Sequence, residues 1–595
     1  MKKATLFLLN ACWSLAAVSA AAASAPNVVV FLADDAGWGD YSHSGNQQVS
    51  TPQIDSLARE GVSFDRFYVC PLCSPTRAEF LTGRYYLRTG VRGVSTGHER
   101  LNCDERTIAD AFHAAGYATG AFGKWHNGSQ WPYHPCARGF DTYYGYTAGH
   151  WGEYFDPPLE RNGTMERAKG YIVDVCTDEA LRFIERHHNQ PFFCYIPFTT
   201  PHSPWAVPEA YWKRFKDKPI TQRATLPQRE QIDQTRCALA MLENQDWNVG
   251  RVLKKLDELK LAENTIVLYF SDNGPNGARW TGGMKGVKGG TDEGSVRSVC
   301  FLRWPARLPR GKTITEIAGA IDLLPTLTAL AGIVRVGDKP LDGRDLSPLL
   351  SDRPGTWPER LLFTTWAGKV SVRDQRYRLD AAGALFDMVA DPGQSCDIAA
   401  AQPQAATRLK QAAAAWRAAV IGPDPEAVKE RQGDVDPRPI DVGYRAFPVT
   451  VLPARDGEPR GGVQRSSDAP NCSYFVNWRD TQGEIVWRIQ VQTAGDYRVE
   501  VDYTCPLADA GSLVEVSMNG ARTSGRVTPG WDPPVNTNQD TVLRPKGESQ
   551  MKPFRTLEWA PIRLEKGRGE LVLRAREVPG KSVMDLRRIT LTLKP

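Results

Sequence analysis

Residues 27–35 read NVVVFLADD, a run of apolar and mostly β-branched side chains that ends in two aspartates. A run with no polar alternation predicts a strand that is buried on both faces, as in a parallel sheet. Two runs of the same character follow along the chain, PFFCYIPF at 191–198 and TIVLYF at 265–270. These three runs predict strands of one α/β domain.

Helical patterns separate the predicted strands. Helices are predicted over 51–61, 107–115, 173–187 and 236–259, and in the first of them Thr51 is a candidate N-cap. Alternation of strands and helices predicts a mainly parallel sheet flanked by helices over residues 26–360.

The rest of the chain divides into three parts. Residues 361–421 predict a small α+β subdomain, and 422–462 are rich in Pro, Asp, Glu and Gly, which is typical of a linker. Residues 463–595 contain alternating strands such as IVWRIQV at 485–491, and they predict an all-β sandwich. Within this module Cys472 and Cys505 are a candidate disulfide pair.

The N-terminus predicts export. Residues 1–25 combine Lys2 and Lys3 with an apolar run over 4–20 and a cluster of small residues, the pattern of a signal peptide, although a membrane anchor is the alternative. The run is only marginally long enough for a bilayer, so cleavage and a periplasmic or secreted product are expected, with no membrane span afterwards. The net charge of +5 over 595 residues, without a dense basic run, argues against a nucleic-acid partner.

Acidic side chains follow two of the predicted strands. Asp34 and Asp35 follow the first strand, and Asp272 and Asn273 follow TIVLYFS. Ligands of open α/β sheets bind beyond the carboxyl ends of the strands, so neighbouring strands would bring these oxygen atoms together. Such a set suits Ca²⁺ or Mg²⁺ and poorly suits Zn²⁺. The alternative is a pair of ordinary strand-end turns.

A motif at 73–83 favours the metal site over ordinary strand-end turns. Residues Cys73-Ser-Pro-Thr-Arg77-Ala-Glu-Phe-Leu-Thr-Gly83 resemble the signature of type I sulfatases, the formylglycine-dependent members of the alkaline phosphatase superfamily. The resemblance covers about residues 26–420, with the fold of that superfamily. It implies that a formylglycine-generating or maturase enzyme oxidises Cys73 to formylglycine (3-oxoalanine). Pro75 also fits the first turn of a helix, whose N-terminus favours an anion such as sulfate.

Further segments match the same family in order. They are Gly123-Lys124-Trp125-His126, Thr200-Pro201-His202 and the stretch from Lys288 to Arg297. Two positions depart from the family pattern, Asn127, where Leu is common, and Ser295, where Gly is common.

The resemblance also implies roles for individual residues. One Ca²⁺ would be held by Asp34, Asp35, Cys73, Asp272 and Asn273. Lys124, His202 and Lys288 would surround the sulfate, Arg77 would orient the formylglycine, His126 would take a proton from it, and His202 would protonate the leaving alcohol, with Lys288 as the alternative acid.

The substrate is expected to be a sulfated carbohydrate. Residues 125–155 are rich in aromatic side chains, of which most suit a packed loop, and His150 and Trp151 are the candidates for a sugar pocket. Residues 127–134 resemble polysaccharide-directed bacterial sulfatases, some of which act on sulfated galactose units. The C-terminal module looks like a galactose-binding-like or carbohydrate-binding sandwich, or one that only packs on the catalytic domain.

Two other functions compete with the sulfatase interpretation. The chain could be a phosphomonoester or phosphonate hydrolase of the same superfamily, or a non-catalytic glycan-binding protein that keeps the fold. The complete set of motif residues argues against the second alternative.

Overall fold

The computed structural model describes residues 25–351, 357–423 and 434–595. The predicted signal peptide lies outside the described residues, except for Ala25. Across the described ranges, no helix combines the length and the apolar character that crossing a membrane requires.

The first domain comprises residues 25–351. Its strands are β1 (Asn27–Ala33), β2 (Val62–Phe64), β3 (Phe67–Tyr68), β4 (Ala118–Lys124), β5 (Thr142–Tyr146), β6 (Pro158–Arg161), β7 (Thr164–Arg167), β8 (Phe192–Pro197), β9 (Thr265–Ser271), β10 (Arg297–Ser298), β11 (Cys300–Arg303), β12 (Lys312–Ile314) and β13 (Ala318–Gly319). Its α-helices are α1 (Pro52–Arg59), α2 (Cys73–Thr82), α3 (Ile108–Ala114), α4 (Ile172–Arg186), α5 (Glu209–Phe215), α6 (Ile232–Glu258), α7 (Glu293–Val296), α8 (Leu323–Ala331) and α9 (Ser347–Leu350).

A ten-stranded sheet forms the centre of this domain, in the order β12-β2-β11-β9-β1-β8-β4-β5-β6-β7. Strand β1 lies between β8 and β9 and is parallel to both. Antiparallel pairs occur on either side of this parallel centre, where β11 pairs with β9 and β6 pairs with β5. The sheet is thus mixed, with its parallel part where the sequence predicted it.

Both faces of β1 are covered, which explains its unbroken apolar run. Val29 and Phe31 belong to one hydrophobic core, together with side chains of α4 and α6. Val28 and Val30 point to the opposite face and belong to a second core with side chains of α2, α3 and α8. Because both faces pack against helices, neither set of alternate positions tolerates polar side chains.

The N-terminus of α1 is satisfied by a distant residue instead of the predicted cap. The Thr51 side chain makes no capping hydrogen bond to the helix backbone. Instead, Asp246 Oδ1 on α6 accepts hydrogen bonds from the Gln53 N–H (2.9 Å) and the Ile54 N–H (2.8 Å). The predicted cap is therefore wrong. Asp246, in a tertiary contact, supplies the acceptor that the local sequence had assigned to Thr51.

A small α+β subdomain follows at 357–423. Its elements are β14 (Leu362–Trp366), β15 (Lys369–Arg373), β16 (Tyr377–Leu379), β17 (Leu385–Asp387) and α10 (Pro403–Val420). The four strands form an antiparallel sheet in chain order, and α10 packs its buried Ala406 and Leu409 against it.

The C-terminal module, residues 434–595, consists of two sheets. Its strands are β18 (Ile440–Val442), β19 (Val449–Pro453), β20 (Glu458–Arg460), β21 (Gln464–Arg465), β22 (Phe475–Val476), β23 (Glu484–Val491), β24 (Gly495–Thr504), β25 (Leu513–Met518), β26 (Ala521–Arg526), β27 (Arg555–Leu564), β28 (Gly567–Glu577) and β29 (Asp585–Leu593). One sheet has the order β18-β23-β28-β25-β26 with β20 beside β23, and the other has β21-β22-β29-β24-β27 with β19 beside β29. Their inner faces share one hydrophobic core.

Two expectations about this module need correction. Strands β18, β19 and β20 lie inside the range predicted as a linker, where their short length and the surrounding Pro and Gly residues conceal any period. The predicted disulfide is wrong, because Cys472 and Cys505 are both free thiols. The Cys472 thiol instead donates a hydrogen bond to the His150 carbonyl oxygen in the first domain (3.1 Å).

Candidate active site

The ends of β1 and β9 bring four polar side chains together. The register pairs Ala33 with Ser271, so the residues that follow these two strands are neighbours. The side chains of Asp34, Asp35, Asp272 and Asn273 are fully buried there. The Asp35 N–H donates to Asp272 Oδ1 (3.1 Å), and the backbone of Asp35 has a left-handed φ of 69°. A non-glycine residue in that conformation is uncommon, and it is often found at functional sites.

These residues form groups of atoms that could hold a metal ion. Ligand atoms of Asp34, Asp272 and Cys73 lie within 4.8 Å of one another, as do those of Asp34, Asp35 and His202. Burial, assisted by the charges of Asp272 and Asp35, raises the pKa of Asp34 to about 8. A cation held here would offset that electrostatic cost.

The side chain of Asn273 is consistent with such a cation. Its Nδ2 donates to Asp35 Oδ1 (2.8 Å) and to the Gly274 carbonyl oxygen (2.8 Å). Its Oδ1 is buried and has no hydrogen-bond partner among the described residues. A buried acceptor without a partner is costly, and an oxygen-binding cation would satisfy it. The donor set thus fits Ca²⁺ or Mg²⁺.

Helix α2 begins at residue 73 and points its N-terminus at the cluster. Cys73 is the first helical residue, and its side chain is buried. Thr76 Oγ1 donates to the Asp272 carbonyl oxygen (2.6 Å), which fixes the first turn of α2 against the end of β9. Burial raises the pKa of the Cys73 thiol. The free N–H groups of the first helical turn favour an anion at this position.

Arg77 lies one turn further along α2 and is also fully buried. Its Nη2 donates to Asp272 Oδ2 (2.8 Å), and its Nη1 donates to the Lys124 carbonyl oxygen (2.9 Å). The guanidinium thereby joins the ends of β4 and β9 and holds both next to residue 73.

Two lysines bring positive charge to the aspartates. Lys124, at the end of β4, donates to both carboxylate oxygens of Asp34 (2.9 and 2.7 Å). Lys288 Nζ lies 2.8 Å from Asp35 Oδ2. Burial opposes ionisation of Asp35, but Lys288, His202 and Lys124 outweigh it and lower the pKa of that carboxyl.

His126 and His202 present ring nitrogens to the same region. His126 Nε2 lies 2.8 Å from the Val94 carbonyl oxygen, so this nitrogen carries the proton, and Nδ1 has no hydrogen-bond partner in the described part of the chain. Gly149 allows this ring position, because a Cβ there would lie 2.1 Å from His126 Nε2. His202 Nδ1 lies 2.7 Å from the Ser203 carbonyl oxygen, which leaves Nε2 facing Asp35 Oδ2 at 3.6 Å.

The two predicted pocket residues occupy different surroundings. His150 Nδ1 lies 3.3 Å from His202 Nδ1, so His150 adjoins the site. Trp151 stacks on Tyr146, with ring centroids 5.1 Å apart, and Arg587 of the C-terminal module lies over its ring. The structure therefore brings His150 to the cluster and places Trp151 at the interface between the domains.

The module also supplies residues that the sequence did not indicate. Glu548 Oε1 accepts a hydrogen bond from Ser203 Oγ (2.5 Å), and Asn471 Nδ2 donates to the Val94 carbonyl oxygen (3.1 Å), the acceptor that His126 also uses. Neither residue belongs to a recognisable motif. Glu548 and Asn471 come near the site only because the module packs on the first domain, and the sequence does not show that packing.

Asn127 and Ser295, the two departures from the family pattern, lie beside the cluster. Asn127 Nδ2 donates to the Ser74 carbonyl oxygen (3.3 Å), next to residue 73. The carbonyl oxygen of the buried Ser295 accepts a hydrogen bond from the Gly274 N–H (2.8 Å), next to Asn273. Together, the buried acids, the cations and the helix N-terminus can hold a divalent cation and an anionic substrate side by side.

Comparisons with known proteins show the family to which the chain belongs. The sulfatase family model matches residues 26–333. N-acetylgalactosamine-6-sulfatase of Canis lupus familiaris is 32% identical over 377 residues, which cover 56% of this chain and 69% of that protein. Steryl-sulfatase of Mus musculus is 30% identical over 422 residues, covering 55% of this chain and 65% of that one.

A solved structure shares the fold as well. The crystal structure of Ps i-CgsB in complex with k-i-k-neocarrahexaose superimposes with a TM-score of 0.59 and 28% sequence identity. The match covers 66% of this chain and 93% of that chain.

Proposed function

Because the chain belongs to the sulfatase family and is a sulfuric ester hydrolase, we propose that it removes sulfate from a sulfated glycan by means of one Ca²⁺ and a formylglycine derived from Cys73. One observation carries the proposal. The thiol of Cys73 lies within 4.8 Å of carboxylate oxygens of Asp34 and Asp272, beside buried cationic side chains. The proposed nucleophile precursor and the proposed cation site would thus share one buried cluster.

Four side chains would hold the metal together with residue 73. They are Asp34, Asp35, Asp272 and Asn273, and the unpartnered Oδ1 of Asn273 supports this set. When bound, Ca²⁺ would offset negative charge on the sulfate and lower the pKa of a coordinated hydroxyl. The carboxylates themselves keep the site anionic, so that a hard cation binds in preference to a soft one.

Residue 73 is the proposed nucleophile precursor. Once converted to formylglycine, it would supply a hydrate hydroxyl for attack on sulfur. Arg77 fixes the start of α2 through Asp272 and the Lys124 carbonyl oxygen, and so holds residue 73 in position. The first turn of α2 contributes N–H groups that favour the anionic substrate.

The lysines and histidines complete the proposed chemistry. Lys124 and Lys288 place ammonium groups beside the aspartates, where they would balance the charge of the sulfate oxygens. His202 keeps its Nδ1 proton on the Ser203 carbonyl oxygen, so Nε2 is unprotonated in the neutral ring. As the general acid, Nε2 would first take up a proton from solvent and then pass it to the leaving alcohol. His126 donates from Nε2 to Val94, which leaves Nδ1 free to accept a proton from residue 73.

A galactose-type glycan is the proposed substrate. The relatives support this class, since one is named for N-acetylgalactosamine 6-sulfate and a structural neighbour was solved with k-i-k-neocarrahexaose. We also expect export through the N-terminal signal and conversion of Cys73 by a formylglycine-generating or maturase enzyme.

Replacement of residue 73 tests the nucleophile. Cys73→Ala is expected to abolish hydrolysis of an aryl sulfate, while Cys396→Ala, which changes an exposed cysteine, retains it. Mass spectrometry of the peptide that spans residue 73 should show a species lighter than cysteine in the active wild-type protein. Full activity of Cys73→Ala would overturn the proposal, and faster hydrolysis of an aryl phosphate than of an aryl sulfate would favour the phosphoesterase alternative.

A further inference from the structure

The C-terminal module reaches the active site through the segment between β26 and β27, residues 527–554, which we call the crossing loop. The Thr541 and Val542 N–H groups donate to the Trp205 carbonyl oxygen (2.9 and 3.0 Å). Arg544 Nη2 donates to the Gly152 carbonyl oxygen (2.9 Å). The crossing loop is therefore attached to the segments that carry both His202 and His150.

Glu548 of the crossing loop lies against these two histidines. Its Oε1 accepts a hydrogen bond from Ser203 Oγ (2.5 Å), and its Oε2 lies 3.4 Å from His150 Nε2. Neither Oε2 nor His150 Nε2 has a hydrogen-bond partner among the described residues, although both atoms are buried. The side chains are only 12% and 6% exposed, so each unpaired atom carries a desolvation cost that a ligand could remove.

The protonation state of His150 follows from its neighbours. His202 donates its Nδ1 proton to the Ser203 carbonyl oxygen, and a proton on His150 Nδ1, 3.3 Å from His202 Nδ1, would face that proton unfavourably. His150 Nδ1 is then an acceptor, and Nε2 carries the proton. Burial, followed by the charge of Arg544, lowers the pKa of His150 to about 3, which keeps the ring neutral. The pair consequently offers one donor, His150 Nε2, and one acceptor, Glu548 Oε2.

This pair lies across the His202 ring from the cation site. His202 directs Nε2 towards Asp35 and Nδ1 towards His150. A substrate with its sulfate beside Asp35 and its ester oxygen at His202 Nε2 would extend its alcohol part past the ring of His202. One donor and one acceptor side by side there match two neighbouring hydroxyl groups of a sugar.

We propose that Glu548 and His150 form a subsite for hydroxyl groups of the sugar that leaves as the alcohol, so that the C-terminal module sets substrate specificity. The inference rests on the proposed function and adds a substrate-contacting residue to it. Glu548 accepts a hydrogen bond from one sugar hydroxyl, and His150 donates to the oxygen of its neighbour. Aryl sulfates lack these hydroxyl groups and gain nothing from the pair.

The matched variants Glu548→Gln and Glu153→Gln test this subsite. Glu153 is also a buried carboxylate at the domain interface, and it accepts from Asn536 Nδ2 (3.1 Å). Values of kcat/KM are measured for para-nitrophenyl sulfate and for a panel of monosulfated hexoses and N-acetylhexosamines. In Glu548→Gln, kcat/KM for the best sugar should fall about 10- to 100-fold, and about tenfold or more beyond any loss on the aryl sulfate. In Glu153→Gln, the ratio of kcat/KM for the best sugar to kcat/KM for the aryl sulfate should stay within about threefold of wild type.

Three outcomes would overturn the subsite. They are equal losses on both substrates in Glu548→Gln, the same selective loss in Glu153→Gln, and a wild-type enzyme that prefers no sulfated sugar to the aryl sulfate. Thermal unfolding of each variant shows whether the interface remains intact. A wild-type enzyme that hydrolyses no sulfate ester would instead overturn the proposed function, and the subsite with it.

Discussion

At the scale of single residues, Asn273 links the geometry of the site to the proposed cation. Two acceptors hold its amide nitrogen, and this orientation leaves its oxygen without a hydrogen-bond partner in the described ranges. Aspartate at this position would add a fourth carboxylate to a buried cluster that already contains three. The amide instead offers an oxygen to a cation without further charge repulsion.

Removal of the cation should destabilise the protein as well as stop catalysis. Treatment with a chelator is expected to abolish aryl sulfate hydrolysis and to lower the unfolding temperature, and added Ca²⁺ should restore both. A ligand that binds only the folded state stabilises it by about 2.7 kcal/mol at a concentration of 100 times its Kd. Calorimetric titration should also show weaker Ca²⁺ binding to Asn273→Ala, and an unfolding temperature that is insensitive to Ca²⁺ would contradict the assignment.

Individual site residues differed in how far the sequence could indicate them. Asp34 and Asp272 follow recognisable buried strands, so their meeting was predictable from local pattern and from the parallel sheet. Glu548 was not, because its role depends on a contact with Ser203, which is 345 positions away. Local patterns carry no information about which module surface packs on which loop.

At the scale of secondary structure, α2 combines the proposed nucleophile position with a buried acid. Glu79 lies near the end of α2 and accepts a hydrogen bond from the Tyr86 N–H (3.3 Å). Burial raises the pKa of this carboxyl to about 8. The ordinary value applies in the unfolded chain, so the folded state binds more protons between the two values. Stability contributed by neutral Glu79 is therefore lost as pH rises from about 4.5 towards 8.

Glu79→Gln should flatten this pH dependence. Glutamine keeps the shape and the acceptor but has no proton to lose, so the fall in unfolding temperature between pH 5 and pH 8 should be smaller than in wild type. A rise of the pKa from 4.5 to about 8 corresponds to about 5 kcal/mol at most. Differential scanning calorimetry at both pH values measures the effect, with Glu565→Gln on an exposed side chain as the control. Identical pH dependence in wild type and Glu79→Gln would refute the raised pKa.

Strands and helices were more predictable where the hydrophobic pattern was long and continuous. The unbroken run of β1 follows directly from its two covered faces. By contrast, α6 begins at Ile232, four residues before the predicted start at residue 236, and β18 to β20 are three to five residues long and lack a readable period. Short elements are stabilised by their neighbours, and a single sequence does not show those neighbours.

At the scale of the whole molecule, the two main domains share an extensive polar and aromatic interface. Phe447 of the module stacks on Trp131 of the first domain, with ring centroids 5.5 Å apart. Gln539 Oε1 accepts from the N–H groups of Tyr154 (2.7 Å) and Phe155 (2.9 Å). Contacts of this kind indicate a fixed arrangement of the domains and not a tethered module.

Phe447→Ala should weaken this arrangement. Removal of a partly buried ring is expected to cost about 2 kcal/mol and to lower the unfolding temperature by several degrees. Leu507→Ala removes an apolar side chain that is 82% exposed and should have little effect. Differential scanning calorimetry compares the two variants, and equal unfolding temperatures would show that the interface contributes no stability.

The crossing loop has a consequence for engineering. Chimeric enzymes are often built by joining a catalytic unit from one source to an accessory unit from another at their boundary. Here such a joint near residue 434 would exchange Glu548 and the rest of the crossing loop together with the accessory unit. Hybrid enzymes built from this protein should therefore keep residues 527–554 with the catalytic domain. Alternatively, a library can vary these residues to change the substrate.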